Sequence, residues 1–143
     1  MRNGNVILVA IDNHISAFKI TQYAIELANA LDKSLYFVHI LDDSLPKYKR
    51  NPRNPWERSN LDALSEFYLK DCANMALDTN VNHVFHSLIY GRTKNTLVRL
   101  SNMKNVALTI VGASGYDNLY NNRIGHIAQY VSCWSKGTVT IVR

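Results

Sequence analysis

Short, unbroken β-branched runs alternate along this chain with segments whose apolar residues recur every three or four positions. Few folds accept that alternation. Val6-Ile7-Leu8-Val9-Ala10-Ile11 is the first run. It has no polar face to show to water, so it reads as a strand covered on both sides of a sheet. In the next segment Ile20, Tyr23, Ala24, Leu27, Ala28 and Leu31 fall on one helical stripe. Leu35-Tyr36-Phe37-Val38-His39-Ile40 reads as a second strand. Residues 41–56 break the pattern and hold Pro46, Pro52 and Pro55, so they read as a long loop bordering the end of strand two. A helix is expected over 56–77 with Leu61, Leu64, Phe67, Tyr68 and Met75 as its apolar positions. Residues 81–89 read as a third strand, and Thr96, Leu97, Leu100 and Met103 suit a shorter helix. Val106 to Val111 is a fourth buried strand ending at Gly112, Ile124, Ile127, Ala128 and Val131 mark a last helix, and 138–142 is a fifth strand.

Strand and helix in strict alternation predict an α/β three-layer sandwich of Rossmann-like type. Its mostly parallel, five-stranded sheet would carry helices on both faces. Such a sheet has a topological switch point, and ligands bind in the crevice at the carboxyl ends of its strands. The 143 residues suit a single domain over 1–143, with a core large enough to need no staples. Hydrophobic types make up 47% and charged types 19%, which excludes the disordered class.

Charge and cysteine content narrow the function classes. The net charge of +5 and pI near 9.3 favour anionic ligands in general. The excess is spread along the chain, and its one dense cluster, Lys47, Lys49, Arg50 and Arg53, reads as a solvated loop. Nucleic-acid binding therefore ranks last, since no aromatic stacking platform accompanies those charges. No apolar run approaches the ~20 residues of a membrane span, and Met1-Arg2-Asn3-Gly4 lacks the layout of a signal peptide. Cys72 and Cys133 have no metal-ligand spacing and read as two partly buried structural thiols in a reducing, cytoplasmic setting.

The most informative local pattern is Gly112-Ala113-Ser114-Gly115 followed, after nine intervening residues, by Gly125-His126, a G-x2-G-x9-G spacing. Gly112 would lie at the crevice rim, where glycine lets a ligand approach the backbone. Gly125 and His126 would open the last helix, where free N–H groups and the helix dipole favour a phosphate. Asp12 ends strand one at the same crevice, with capping of the first helix as its plainer role. His83 and His86, at i and i+3 on a strand, point to opposite faces and cannot chelate together. His39 reads as a satisfied core histidine, and His14 with His126 are two ligands without a third, so no metal site is expected. Asp42 and Asp43 read first as solvated loop and second as helpers of a phosphate-bound divalent ion. No Ser-His-Asp set and no P-loop is legible, so the chain reads as a binding protein rather than an enzyme.

Taken in order, these pieces resemble the universal stress protein family over nearly the whole length. Val9-Ala10-Ile11-Asp12 resembles that family's opening strand, Tyr23-Ala24 and Leu27-Ala28 its first helix, and Val38-His39-Ile40 its second strand. Gly91 resembles the glycine after its third strand, and Ile110-Val111-Gly112-Ala113-Ser114-Gly115 its fourth strand and glycine loop. The stretch from Ile124 to Val131 resembles its G-S-V-A-x-x-V helix, and Thr138 to Arg143 its last strand. The resemblance implies a bound ATP or related adenine nucleotide, with or without Mg²⁺. Gly112, Gly115, Gly125 and His126 would meet phosphate and ribose, Asp12 and Ile40 the adenosine, with Ala10 and Ile127 lining the same site. It implies a homodimer paired through the edge strand 138–142, a stress-response sensor read by occupancy, and at most slow ATP hydrolysis. The alternative is a dimeric interaction module whose crevice stays empty. Three departures bear on that choice. His126 stands where the family's nucleotide binders have Ser or Thr, Asn13-His14 replaces their Gly-Ser, and Asp117, opposed by Arg123, brings a negative charge near the phosphates.

Overall fold

The computed structural model describes residues 4–12, 14–42, 60–113 and 124–143. The elements follow as β1 (Val6–Ala10), α1 (Ser16–Leu31), β2 (Ser34–Leu41), α2 (Asn60–Leu77), β3 (Val84–Tyr90), α3 (Thr93–Ser101), β4 (Val106–Gly112), α4 (His126–Trp134) and β5 (Thr138–Val142). The strands form one sheet in the order β3-β2-β1-β4-β5, and every neighbouring pair is parallel. The α/β architecture read from the alternation is therefore present, with a sheet parallel throughout.

Burial explains why the continuous apolar runs take the middle. β1, β2 and β4 are buried along almost every residue, whereas the edge strands β3 and β5 are half-exposed. Alternate residues then face opposite layers. Ile7, Val9, Leu35, Phe37, Leu108 and Ile110 pack under α1 and α2, against Ile20, Ala24, Leu69 and Cys72. Leu8, Val38, Ile40 and Val111 pack on the other side against Leu97 and Leu100 of α3 and Ala128 and Val131 of α4. Burying one such side chain contributes roughly 1.5–3 kcal/mol.

α2 corrects the sequence expectation. Its buried stripe is Asp62, Ser65, Leu69, Cys72, Ala73 and Ala76, while Leu64 and Phe67 are 43% and 54% exposed. The large side chains were expected inside. The helix instead lays its small ones on the sheet, and Phe67 stacks edge-on to Tyr68, which meets Phe18. Cys133 is a second correction. It is exposed, because it falls off the Ala128–Val131 stripe, whereas Cys72 is buried. The third strand begins at Val84 rather than at residue 81, and Met103 lies beyond α3 and is exposed.

At the amino edge of the sheet, Gly4 is closely packed. A Cβ on Gly4 would come within 2.7 Å of the Ala107 amide nitrogen, beside the Asn105 carbonyl, so no other residue fits there without movement. α1 stops at Asp32, which adopts a left-handed φ of 54°. The Asp32 and Lys33 amides both bond to the Ala28 carbonyl. A cleft of about 400 Å³ at this edge is lined by Asn29, Asp32, Lys33, Asn80 and Asn82 among others. No described helix is long and apolar enough to cross a membrane.

Candidate functional site at the carboxyl edge

The chain leaves β1 toward α1, on one face of the sheet, and leaves β4 toward α4, on the other. Since β1 and β4 are neighbours, the two connections diverge and open a crevice between their carboxyl ends. Most of the residues singled out from the sequence stand there. Ala10 closes β1 and Gly112 closes β4, both half-buried, and Asp12 lies just past β1, also half-buried. Ile40 is buried near the end of β2, in the same cluster against which Ala10 and Ile127 pack. Gly125 is the buried N-cap of α4, with no side-chain cap, and His126 begins the helix. His126 is exposed. Gly115 lies outside the described residues, as do Asn13, Asp43, the Lys47–Arg53 cluster, Ser114, Asp117 and Arg123.

The backbone decides which amides are available to a ligand. Gly125 N–H donates to the Ala113 carbonyl at 2.6 Å, and Ala113 N–H donates to the Val142 carbonyl at 2.7 Å. The Gly125 amide is thus committed and cannot serve an anion. The Gly125 carbonyl accepts from Gln129 N–H at 3.0 Å, the first bond of the α4 ladder. The donors left by helix geometry are the amides of His126, Ile127 and Ala128. They sit at the positive end of the α4 dipole.

Two histidines set the β1 side. The Nδ1 of His39 lies 2.7 Å from the Ile11 carbonyl. A carbonyl only accepts, so Nδ1 carries the proton and donates. The other nitrogen, Nε2, is buried without a hydrogen-bond partner among the described residues. The core-histidine reading was therefore half right: one nitrogen is satisfied. Burial is the main effect on this ring and pushes its pKa below 6.5, opposed by the Ile11 bond and by the charge of Asp12. Ile11 N–H in turn donates to the Val38 carbonyl at 2.9 Å. Both polar groups of Ile11 are held, and this fixes the backbone from which Asp12 projects. At the start of α1, Ser16 N–H donates to His14 Nδ1 at 3.1 Å, and Ala17 N–H bonds to the His14 carbonyl at 2.9 Å. His14 thus holds the first two amides of α1, a contact the sequence did not suggest. Its signal was hidden because histidine is not among the usual capping residues.

Among the described residues, no three His, Cys, Asp or Glu side chains gather as metal ligands. His83 and His86 are both exposed, and the His83 ring lies beside Phe85.

Comparisons with known proteins agree with this fold. Solved structures share the fold across the whole chain. UspA from Lactobacillus plantarum superposes with a TM-score of 0.78 at 19% identity, covering 100% of this chain and 99% of its own. A universal stress protein in complex with cAMP gives 0.71 at 18% identity, covering 98% and 97%. The universal stress protein of Archaeoglobus fulgidus in complex with dAMP gives 0.70 at 14% identity, covering 100% of both. No curated protein sequence matches the chain. The family model described as the universal stress protein family matches residues 5–143, and the chain belongs to that family.

Proposed function

We propose that this protein binds an adenine nucleotide, ATP or a close relative, at the carboxyl edge, and acts as a cytoplasmic, homodimeric sensor in stress response. One observation carries the reading. At the β1/β4 switch point, the first-turn amides of α4, which helix geometry leaves without acceptors inside the helix, stand beside an apolar wall of Ala10, Ile40 and Ile127. The amides suit a phosphate. The wall suits a purine ring. Asp12, at the same edge, suits ribose hydroxyls as an acceptor. Gly112 and Gly125 keep the backbone low there, with Gly115 and His126 completing the set. Two structural neighbours were solved with cAMP and with dAMP, which supports the adenine class. Mg²⁺, where present, would arrive on the phosphates, since the described residues gather no ligand cluster for it. The reading is of binding, and no residue is assigned as a general base.

β5 supports the dimer. It is an outer strand with Val139, Thr140, Ile141 and Val142 half-buried, an edge that pairing with the same strand of a second copy would cover. Ala113 links that edge to the site, since it bonds Val142 on one side and Gly125 on the other. A shift of the α4 N-terminus on binding would reach β5 through two hydrogen bonds.

Thermal melting with ATP and AMP tests the reading. A ligand that binds only the folded state stabilises it by about 2.7 kcal/mol at a hundredfold excess over Kd. A flat melting temperature at millimolar nucleotide would overturn it in favour of an interaction module with an empty crevice.

A further inference from the structure

His14 is placed by its neighbours in one tautomer. Ser16 N–H is an obligate donor, and it points at Nδ1 from 3.1 Å, with Ser16 Oγ also 2.9 Å from that nitrogen. Nδ1 must therefore hold a lone pair, and the proton of the neutral ring sits on Nε2. Nε2–H is then a donor on the side of the ring away from the helix. It has no partner among the described residues, and the ring is only half-buried. His14 lies two positions past Asp12, between the carboxyl end of β1 and the start of α1, and β1 is the neighbour of β4.

Resting on the nucleotide reading above, we propose that His14 is a binding residue of the same site, donating from Nε2 to a phosphate oxygen of the bound nucleotide. Two features assign the phosphate rather than the base. The ring sits at the positive end of the sixteen-residue helix α1, and the amides of α4 approach the crevice from the opposite face of the sheet. The Ser16 bond lowers the cost of this contact by removing the choice of tautomer before the ligand arrives. His14 is thus both a cap and a ligand contact, and the two roles use different nitrogens.

Two substitutions separate those roles. His14→Asn keeps an acceptor for the Ser16 amide but has nothing at the Nε2 position. His14→Gln reaches that position with an amide N–H but caps poorly. Kd for ATP and for adenosine is measured by equilibrium dialysis on native and variant protein, with melting temperatures alongside. His14→Asn is expected to melt as the native protein does, to bind ATP about tenfold more weakly, and to bind adenosine unchanged. His14→Gln is expected to melt lower while keeping most of its ATP affinity. In the native protein, ATP but not adenosine should move the His14 Nε2 resonance in a ¹⁵N-edited spectrum. ATP binding by His14→Asn equal to native, or an equal loss for adenosine, overturns the role of His14 and leaves the nucleotide reading standing. Native protein that binds neither ligand overturns both.

Discussion

The two edges of the sheet are built on opposite principles. At the amino edge, backbone meets backbone: Gly4 is wedged against Asn105 and Ala107, Asp32 turns α1 off in a left-handed conformation, and Asn82 donates to the Asp32 carboxylate at 2.9 Å. At the carboxyl edge, groups are held in position while their bonding capacity is left open. Ile11 is pinned by Val38 and His39, His14 is turned by Ser16, and the α4 amides follow a residue whose own N–H is spent. Same sheet, same parallel order, yet at one edge backbone and side-chain groups bond among themselves beside a polar cleft, and at the other donors are turned outward. Substitutions at the first should therefore move stability and leave affinity alone, and substitutions at the second should do the reverse.

Gly4→Ala tests the first half hardest. With backbone on every near side of the added carbon, overpacking should cost about 1–3 kcal/mol. A urea titration would read this as a lower midpoint, with the nucleotide Kd of the folded protein unchanged. His39→Leu should follow closely, at about 1–3 kcal/mol, because it leaves the buried Ile11 carbonyl without its donor. This residue sits on the boundary of the comparison, and its loss should also weaken nucleotide binding by releasing the backbone before Asp12. If affinity is untouched, His39 belongs with the closed edge.

The same ring predicts a pH effect with a definite sign. Burial lowers the pKa of His39 in the folded state, so below about 6.5 the unfolded chain binds the proton first. The stability it contributes is complete above about 6.5 and is lost as pH falls toward the lowered folded value. Unfolding midpoints at about pH 7.5 and 5.5 would show the decline, and His39→Leu should reduce it. On the open edge, Asp12→Asn should weaken ATP binding roughly tenfold by isothermal calorimetry while changing the melting temperature little. The smallest effect is expected from His126→Ser, which places a hydroxyl at an exposed position. A gain in ATP affinity of only a fewfold would fit, since the backbone amides there are unaltered.

Much of the architecture was legible because burial on both faces writes itself as an unbroken apolar run. β1, β2 and β4 carry that mark, and so does the stripe of α1 through Ile20, Ala24 and Ala28. α2 was misread because small residues make close contact without looking hydrophobic, so Leu64 and Phe67 drew the stripe to the wrong side. Cys133 was placed inside for a related reason: it follows a buried stripe in sequence but not around the helix. At the candidate site, the sequence could name the glycines and Asp12 only as candidates. The Ala113 bonds, the His14 cap and the wedge at Gly4 could not be read from it. Each depends on backbone groups far apart in sequence, which meet only after β1 and β4 have paired.

The bond between Gly125 and Ala113 also bears on how such a protein changes over time. It clips the start of α4 to the end of β4, much as a knot holds two cords at one point. Sequence changes outside β4 and α4 then need shift neither element in register, so the scaffold keeps its stability while the chain around it varies.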